Sequence, residues 1–368
     1  MQNKNFDEVV NYFKSGKFVI AEEKIAKLIE KFPNNYTLYS LLGSILIGQK
    51  NLDKAIINFK KSIQINPNYA VGYNNLAVTL AGLQKFDESI YNYQRAIQIK
   101  PDYAEAHNNL GLAFSKFGKF NQSIDSYQRA IKINPNYGEA HKNLGKLLRK
   151  IGRVNDARKC FDKVINLEPD NVEYKINSEL LIAPIVQSEK EINFYRSQYE
   201  KGLRTLEQCK YVTQYPGLTI KINSFYLSYH NKDNLELMKK TSDLFRKIIP
   251  TINYVSKNIN KQIKRKKIRI GFISEFLTEH TIGKLFGGLI KNLNKEKFEI
   301  IIFHTAHTKK SSMKNEIDNS ANKTVVLNTK IQKQQQQIEK ENLDIIFYPD
   351  ISMSSTTYFL AFSRLAPV

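Results

Sequence analysis

The sequence predicts an all-α repeat solenoid followed by an α/β lobe with a parallel sheet. Three observations predict it. Prolines fall at Pro33, Pro67, Pro101, Pro135 and Pro169, a spacing of 34 residues four times in succession. Small and large residues recur in register with those prolines. After Lys267 the apolar pattern changes to short, nearly continuous runs that alternate with helical segments, which is how strands buried on both faces read.

A fixed period of this length signals stacked helical hairpins. With each proline at position 32, position 8 is Gly43, Ala77, Gly111 and Gly145, and position 20 is Ala21, Ala55, Ser89, Ser123 and Ala157. Small residues at both places let the two helices of a hairpin approach. Position 7 (Leu42, Leu76, Leu110, Leu144) and position 24 (Phe59, Tyr93, Tyr127, Phe161) supply the side chains that fill the space between them. Each proline ends a helix, because it lacks the N–H and pushes its predecessor out of the helical region. Asn34, Asn68, Asp102, Asn136 or Asp170 follows it and is placed to cap the next hairpin. The pattern resembles the tetratricopeptide repeat over residues 2–171, with Val9 replacing the usual small residue in the first unit. Position 6 carries Asn75, Asn109 and Asn143, with Leu41 breaking the series. A row of carboxamides offers donors and acceptors to an extended peptide backbone; it serves equally to link neighbouring repeats.

Beyond residue 171 the register is lost. Residues 172–263 read as a helical linker region, with amphipathic segments at Ser178–Leu181 and Asn234–Ile249 and an aromatic cluster from Ser224 to His230 that reads as core. The basic stretch Lys257–Lys267 reads as a solvated linker. Residues 264–368 give strands at 268–273, 298–303, 324–327 and 344–348, and helices at 282–293 and 331–341. The Gln334–Gln337 run reads as the wet face of the second helix. In a doubly wound sheet the ligand site lies beyond the carboxyl ends of the strands. There stand Ser274, Glu275 and His280 after the first strand, His304 and Thr305 after the second, and Pro349 and Asp350 after the fourth.

Composition excludes several classes. The formal charge is +21, from 56 Lys and Arg against 35 Asp and Glu, but the basic residues are spread too evenly for a nucleic-acid face. Cys160 and Cys209 form no CxxC pair, which argues against a disulfide scaffold or a zinc site. No apolar run reaches the roughly 18 residues needed to span a bilayer, and the chain reads as soluble and cytoplasmic. Gly283, Gly287 and Gly288 fit neither GxGxxG nor a P-loop, so no dinucleotide cofactor or ATPase is expected.

The segment Ile270-Gly271-Phe272-Ile273-Ser274-Glu275-Phe276, with His280 and then Ile282-Gly283-Lys284-Leu285, resembles the start of the catalytic region of the protein O-linked N-acetylglucosamine transferase and SPINDLY-like glycosyltransferases. So does the segment Thr357–Val368. The resemblance implies the first, Rossmann-like lobe of a two-lobed GT-B enzyme, which moves a sugar from a nucleotide donor, a UDP-sugar, to Ser or Thr hydroxyls without a catalytic metal or other cofactor. It implies that acceptor proteins or peptides lie along the repeats, that His280 matches the active-site histidine, and that Asp350 lies at a polar cleft position. The family's second lobe follows the Pro367-Val368 position, so the expectation is a chain that holds acceptor without turnover. A non-catalytic repeat scaffold is the alternative.

Overall fold

The computed structural model describes residues 2–208, 220, 224–260, 265–351 and 353–368. The chain divides into two compact units, Met1–Ile151 and Gly152–Val368. The division falls inside the fifth repeat, not after residue 171.

Ten helices build the repeats: α1 (Gln2–Lys14), α2 (Phe18–Lys31), α3 (Tyr36–Gly48), α4 (Leu52–Ile65), α5 (Ala70–Gly82), α6 (Phe86–Ile99), α7 (Ala104–Lys116), α8 (Phe120–Ile133), α9 (Gly138–Lys150) and α10 (Val154–Leu167). Each second helix stops two residues before its proline, as the proline rule requires. Small residues sit where contact is tightest: a Cβ on Gly43 would lie 2.7 Å from the Phe59 ring, and one on Gly111 2.8 Å from Tyr127. Position 20 does more than stay small. The buried Ser89 and Ser123 hydroxyls donate to the position-8 carbonyls of Ala77 and Gly111, at 2.8 and 2.6 Å, tying together the two helices of the third and fourth hairpins.

The caps differ from expectation. The residue after each proline lies one place too early, and the first helices are preceded instead by Asn35, Tyr69, Tyr103, Tyr137 and Asn171. Of the five only Asn35 caps with its side chain, accepting from Thr37 N at 3.0 Å. In two linkers the residue before the proline closes the turn: Asn66 accepts from Asn68 N and Asn134 from Asn136 N.

The second unit continues with α11 (Val172–Glu179), α12 (Glu189–Glu207) and α13 (Leu235–Ile248), with short 3-10 turns at Ser224–His230 and Pro250–Asn253. Leu180 and Leu181 lie past the end of α11. The long α12 escapes a pattern reading because part of its buried stripe is Tyr199 and Gly202 rather than aliphatic. Gly202 is required there, since a Cβ would lie 2.4 Å from the Glu179 carbonyl oxygen. Strands β1 (Ile268–Ser274), β2 (Phe298–His304), β3 (Lys323–Val326) and β4 (Ile345–Phe347) form one parallel sheet in the order β3-β2-β1-β4. Helices α14 (Thr281–Asn292), α15 (Ser312–Ser320), α16 (Ile331–Glu339) and α17 (Ser355–Leu360) complete it.

Side chains alternate across the sheet. Phe272, Ile300 and Ile302 pack with Leu277, Ile290 and Ile317 on the side of α14 and α15. Ile273, Ile301 and Phe303 share a core with Tyr199 and Leu203 of α12, Leu244 and Phe245 of α13, and Phe359 of α17. The middle segment is therefore the cover of one sheet face, not a linker. In the aromatic cluster Leu227 is buried, while Tyr229 is 63% exposed. Gln334 and Gln335 are buried rather than wet: they donate to Asn328 O, and to Thr251 O and Ser363 Oγ. Of the basic stretch, Lys261 and Lys264 lie outside the described residues, as does Cys209. Arg265 is tied down, donating to Asn342 O and lying 3.6 Å from Asp344. Among the described residues no helix is long and apolar enough to cross a membrane.

Candidate functional site

Two places carry candidate chemistry, one in each unit. In the first unit the position-6 amides are half-buried and linked. Asn109 Nδ2 donates to Asn74 Oδ1 at 3.2 Å, and Asn143 Nδ2 donates to Asn108 Oδ1 at 3.0 Å. Asn74 and Asn108, fully buried at position 5, in turn donate to Asn75 and Asn109 within their own repeats. The ladder thus fixes the orientation of each carboxamide. One N–H of Asn109 and one of Asn143 remain beyond these bonds, because an amide nitrogen has two. The Asn74-Asn75 and Asn108-Asn109 pairs recur at the 34-residue period, and that doubling was the signal for the buried members.

Beside the ladder is a pocket of about 530 Å³ between the third and fourth repeats, lined by Val78, Phe86, Tyr93, Asn109, Leu112 and Lys116 among others. Val78 and Leu112 are 41% and 42% exposed. A mostly apolar wall with a few polar groups, Gln84, Asn109 and Lys116, is the composition of a side-chain pocket.

In the second unit the carboxyl edge of the sheet gathers Ser274, Glu275 and Asp350. Ser274 and Asp350 are buried. Asp350 Oδ2 accepts from Glu275 N at 3.0 Å, and Ser354 Oγ donates to Glu275 Oε2 at 2.7 Å. Ser274 Oγ accepts from Phe276 N. The second carboxylate oxygen of Asp350 is buried without a partner, and burial raises its pKa against the hydrogen bonds that favour the charge. Ser354 had no sequence signal; the turn after β4 brings it there.

His280 is the N-cap of α14, with Nδ1 accepting from Ile282 N at 3.2 Å and the ring against Phe276 at 4.6 Å. With Nδ1 engaged by the backbone, Nε2 is the ring nitrogen left to meet a ligand. His304, beside Ser274 in strand register, is buried with Nε2 2.6 Å from Asp318 of α15. Burial lowers its pKa despite the carboxylate, so Nε2–H donates to Asp318 and Nδ1 is a buried, unpartnered acceptor. Lys314 holds the other oxygen of Asp318. Asp318 was missed because its helix shows only Met313 and Ile317 as large apolar residues. Among the described residues no group of His, Cys, Asp and Glu converges as a metal site.

With this geometry in place, family models of the tetratricopeptide repeat match residues 36–69, 58–91, 80–118, 104–137 and 138–171. Residues 36–171 are tetratricopeptide repeats. No curated protein sequence matches the chain. Among solved structures, a variant of the Thermobaculum terrenum O-GlcNAc transferase is similar at 16% identity and a TM-score of 0.53, over 82% of this chain and 50% of that one. The chain therefore spans about half the length of that enzyme, and at that identity the likeness is one of fold. Two further solved structures are similar over about half of this chain: MamA, at 26% identity and a TM-score of 0.40 over 45% of this chain and 96% of its own, and PilF of Pseudomonas aeruginosa, at 17% and 0.48 over 56% and 90%.

Proposed function

We propose that this chain holds protein acceptors along its repeats and carries the first, Rossmann-like lobe of a protein O-glycosyltransferase. What supports the reading is the order of parts: tetratricopeptide repeats followed by a four-stranded parallel sheet, alike in fold to an O-GlcNAc transferase over 82% of the chain. In this reading acceptor peptides are held along Asn75, Asn109 and Asn143, and the chemistry at the Ser or Thr hydroxyl belongs to the carboxyl edge of the sheet. His280 donates its Nε2–H to an oxygen of the acceptor or of the nucleotide-sugar phosphate. Asp350, with an unpartnered oxygen and a raised pKa, is the acceptor group of the same edge, and Ser274 and Glu275 hold its approach. The donor, a UDP-sugar, is a substrate and not a resident cofactor.

The test separates the cap from the chemistry. In the native reading frame that contains these residues, transfer of a labelled sugar from nucleotide donors to protein acceptors is measured for His280→Asn and His280→Ala. Asparagine is a good N-cap, whereas alanine loses about 1 kcal/mol of helix stability. His280→Asn is expected to keep the melting temperature and peptide binding while transfer falls by about 10²-fold or more. Undiminished transfer removes His280 from the mechanism.

A second reading, a repeat scaffold without transfer, is favoured by one observation: His280, Ser274, Glu275 and Asp350 all serve local hydrogen bonds. Absence of labelling from every nucleotide sugar, with peptide binding intact, decides for it.

A further inference from the structure

The inner helices of the repeats change character along the array. At position 9 they carry Ser44, Val78, Leu112 and Lys146, and at position 13 Gly48, Gly82, Lys116 and Lys150. The third and fourth repeats thus present exposed apolar side chains, and the fourth and fifth present cations. Lys116 lines the apolar pocket itself. Lys150, its equivalent one repeat on, is exposed with its ammonium 4.7 Å from the Phe120 ring. The acidic residues of the same helices, Glu105 and Glu139, stand at position 2. Eleven residues of helix, roughly 16 Å, separate them from the lysines.

Resting on the peptide-holding reading above, we infer that this surface selects one kind of peptide: an extended segment with a large apolar residue flanked on one side by carboxylates. The spacing follows from the repeat. Helices α5, α7 and α9 are neighbours in turn, packed helices lie about 8–10 Å apart, and an extended chain advances about 3.3–3.6 Å per residue. One repeat therefore corresponds to about three residues. The apolar side chain fills the pocket against Val78 and Leu112, and one carboxylate meets Lys116. A second carboxylate about three residues further meets Lys150. The fixed N–H groups of Asn109 and Asn143 bond the peptide backbone between these anchors. The apolar pocket sets the register, and the lysines set the charge that follows it.

Fluorescence anisotropy of labelled 12-residue peptides with the full chain tests this. One peptide carries Leu with Glu two and five residues later, another the same residues in reverse order, a third Lys in place of both Glu, and a fourth Ala in place of Leu. One of the two acidic orders is expected to bind about tenfold tighter than the Lys peptide at low salt, with the difference narrowing as salt screens it. Lys116→Glu with Lys150→Glu should abolish or invert that preference. Leu112→Ala, at an exposed position, should weaken the Leu peptides and leave the Ala peptide unchanged, with helical content by circular dichroism constant throughout. Equal binding of the acidic and Lys peptides overturns the selection while leaving the peptide-holding reading intact, and binding of none of the four overturns both. A single-stranded 12-mer oligonucleotide that binds more tightly than the acidic peptides, with loss on the double lysine change, also overturns it and assigns the surface to nucleic acid.

Discussion

Single residues in this chain carry two demands at once, and the conflict shows in their energetics. Asp350 is buried with one oxygen bonded to Glu275 N and the other unpartnered. Its folded pKa is raised above the ordinary 3.8, so its contribution works against the fold as pH rises: the folded state keeps the proton longer than the unfolded one. Asp350→Asn is therefore expected to stabilise the protein by an amount that grows as pH rises from about 4 through the folded pKa. Urea unfolding at several pH values measures it, and a constant difference across pH would show that the carboxylate is not strained. If Asp350 serves transfer, the same variant loses it, the usual exchange of stability against activity. Lys50 is a plainer case. Its φ is +63°, the left-handed conformation that Gly16, Gly118 and Gly152 adopt at the equivalent turns. Lys50→Gly relieves a left-handed cost of about 1 kcal/mol, and should raise the thermal midpoint.

At the scale of the element, α14 shows how position within one helix decides the effect of one residue type. A Cβ on Gly283 would lie 1.9 Å from the backbone oxygen of Thr278, whereas one on Gly288 meets nothing within 4 Å. Gly283→Ala must displace the turn that sets His280 on the helix, and is expected to destabilise by about 1–3 kcal/mol or more. Gly288→Ala on the exposed face should stabilise by about 0.5–1 kcal/mol, since glycine is poor inside a helix. Denaturant titration of both variants checks the pair, and destabilisation by Gly288→Ala would mean that this face is covered. The repeat hairpins obey the same rule, with Gly43 and Gly111 beneath aromatic rings. Their spacing made them readable, because a period repeats the evidence. The β1–α14 turn occurs once, and its glycine looked like any other.

The molecule as a whole consists of two units, and the second is not the sheet alone. Ile273, Ile301 and Phe303 face helices that precede the strands by as much as a hundred residues. A fragment of residues 264–368 exposes that face and is expected to aggregate, whereas residues 152–368 carry both covers of the sheet and should unfold cooperatively. Size-exclusion chromatography and thermal unfolding of the two fragments test this. A monomeric, cooperatively folded 264–368 fragment would show that α11–α13 are dispensable.

The period of 34 residues and the apolar runs after Lys267 determined, without any structure, the helical hairpins, the parallel sheet and the polar cluster at its carboxyl edge. Those are local or periodic facts: proline stops a helix wherever it stands, and side chains alternate along any strand. What only the tertiary structure decided is which polar groups are already engaged. Asn109 and Asn143 are locked to Asn74 and Asn108 across a repeat boundary, His280 is held by its cap, and His304 meets Asp318 from another element. Gln334 and Gln335 read as wet and are buried, because their partners Thr251 and Ser363 come from distant parts of the chain. A hydrogen bond between remote residues leaves no periodic trace, so the sequence names the groups while the fold assigns their partners.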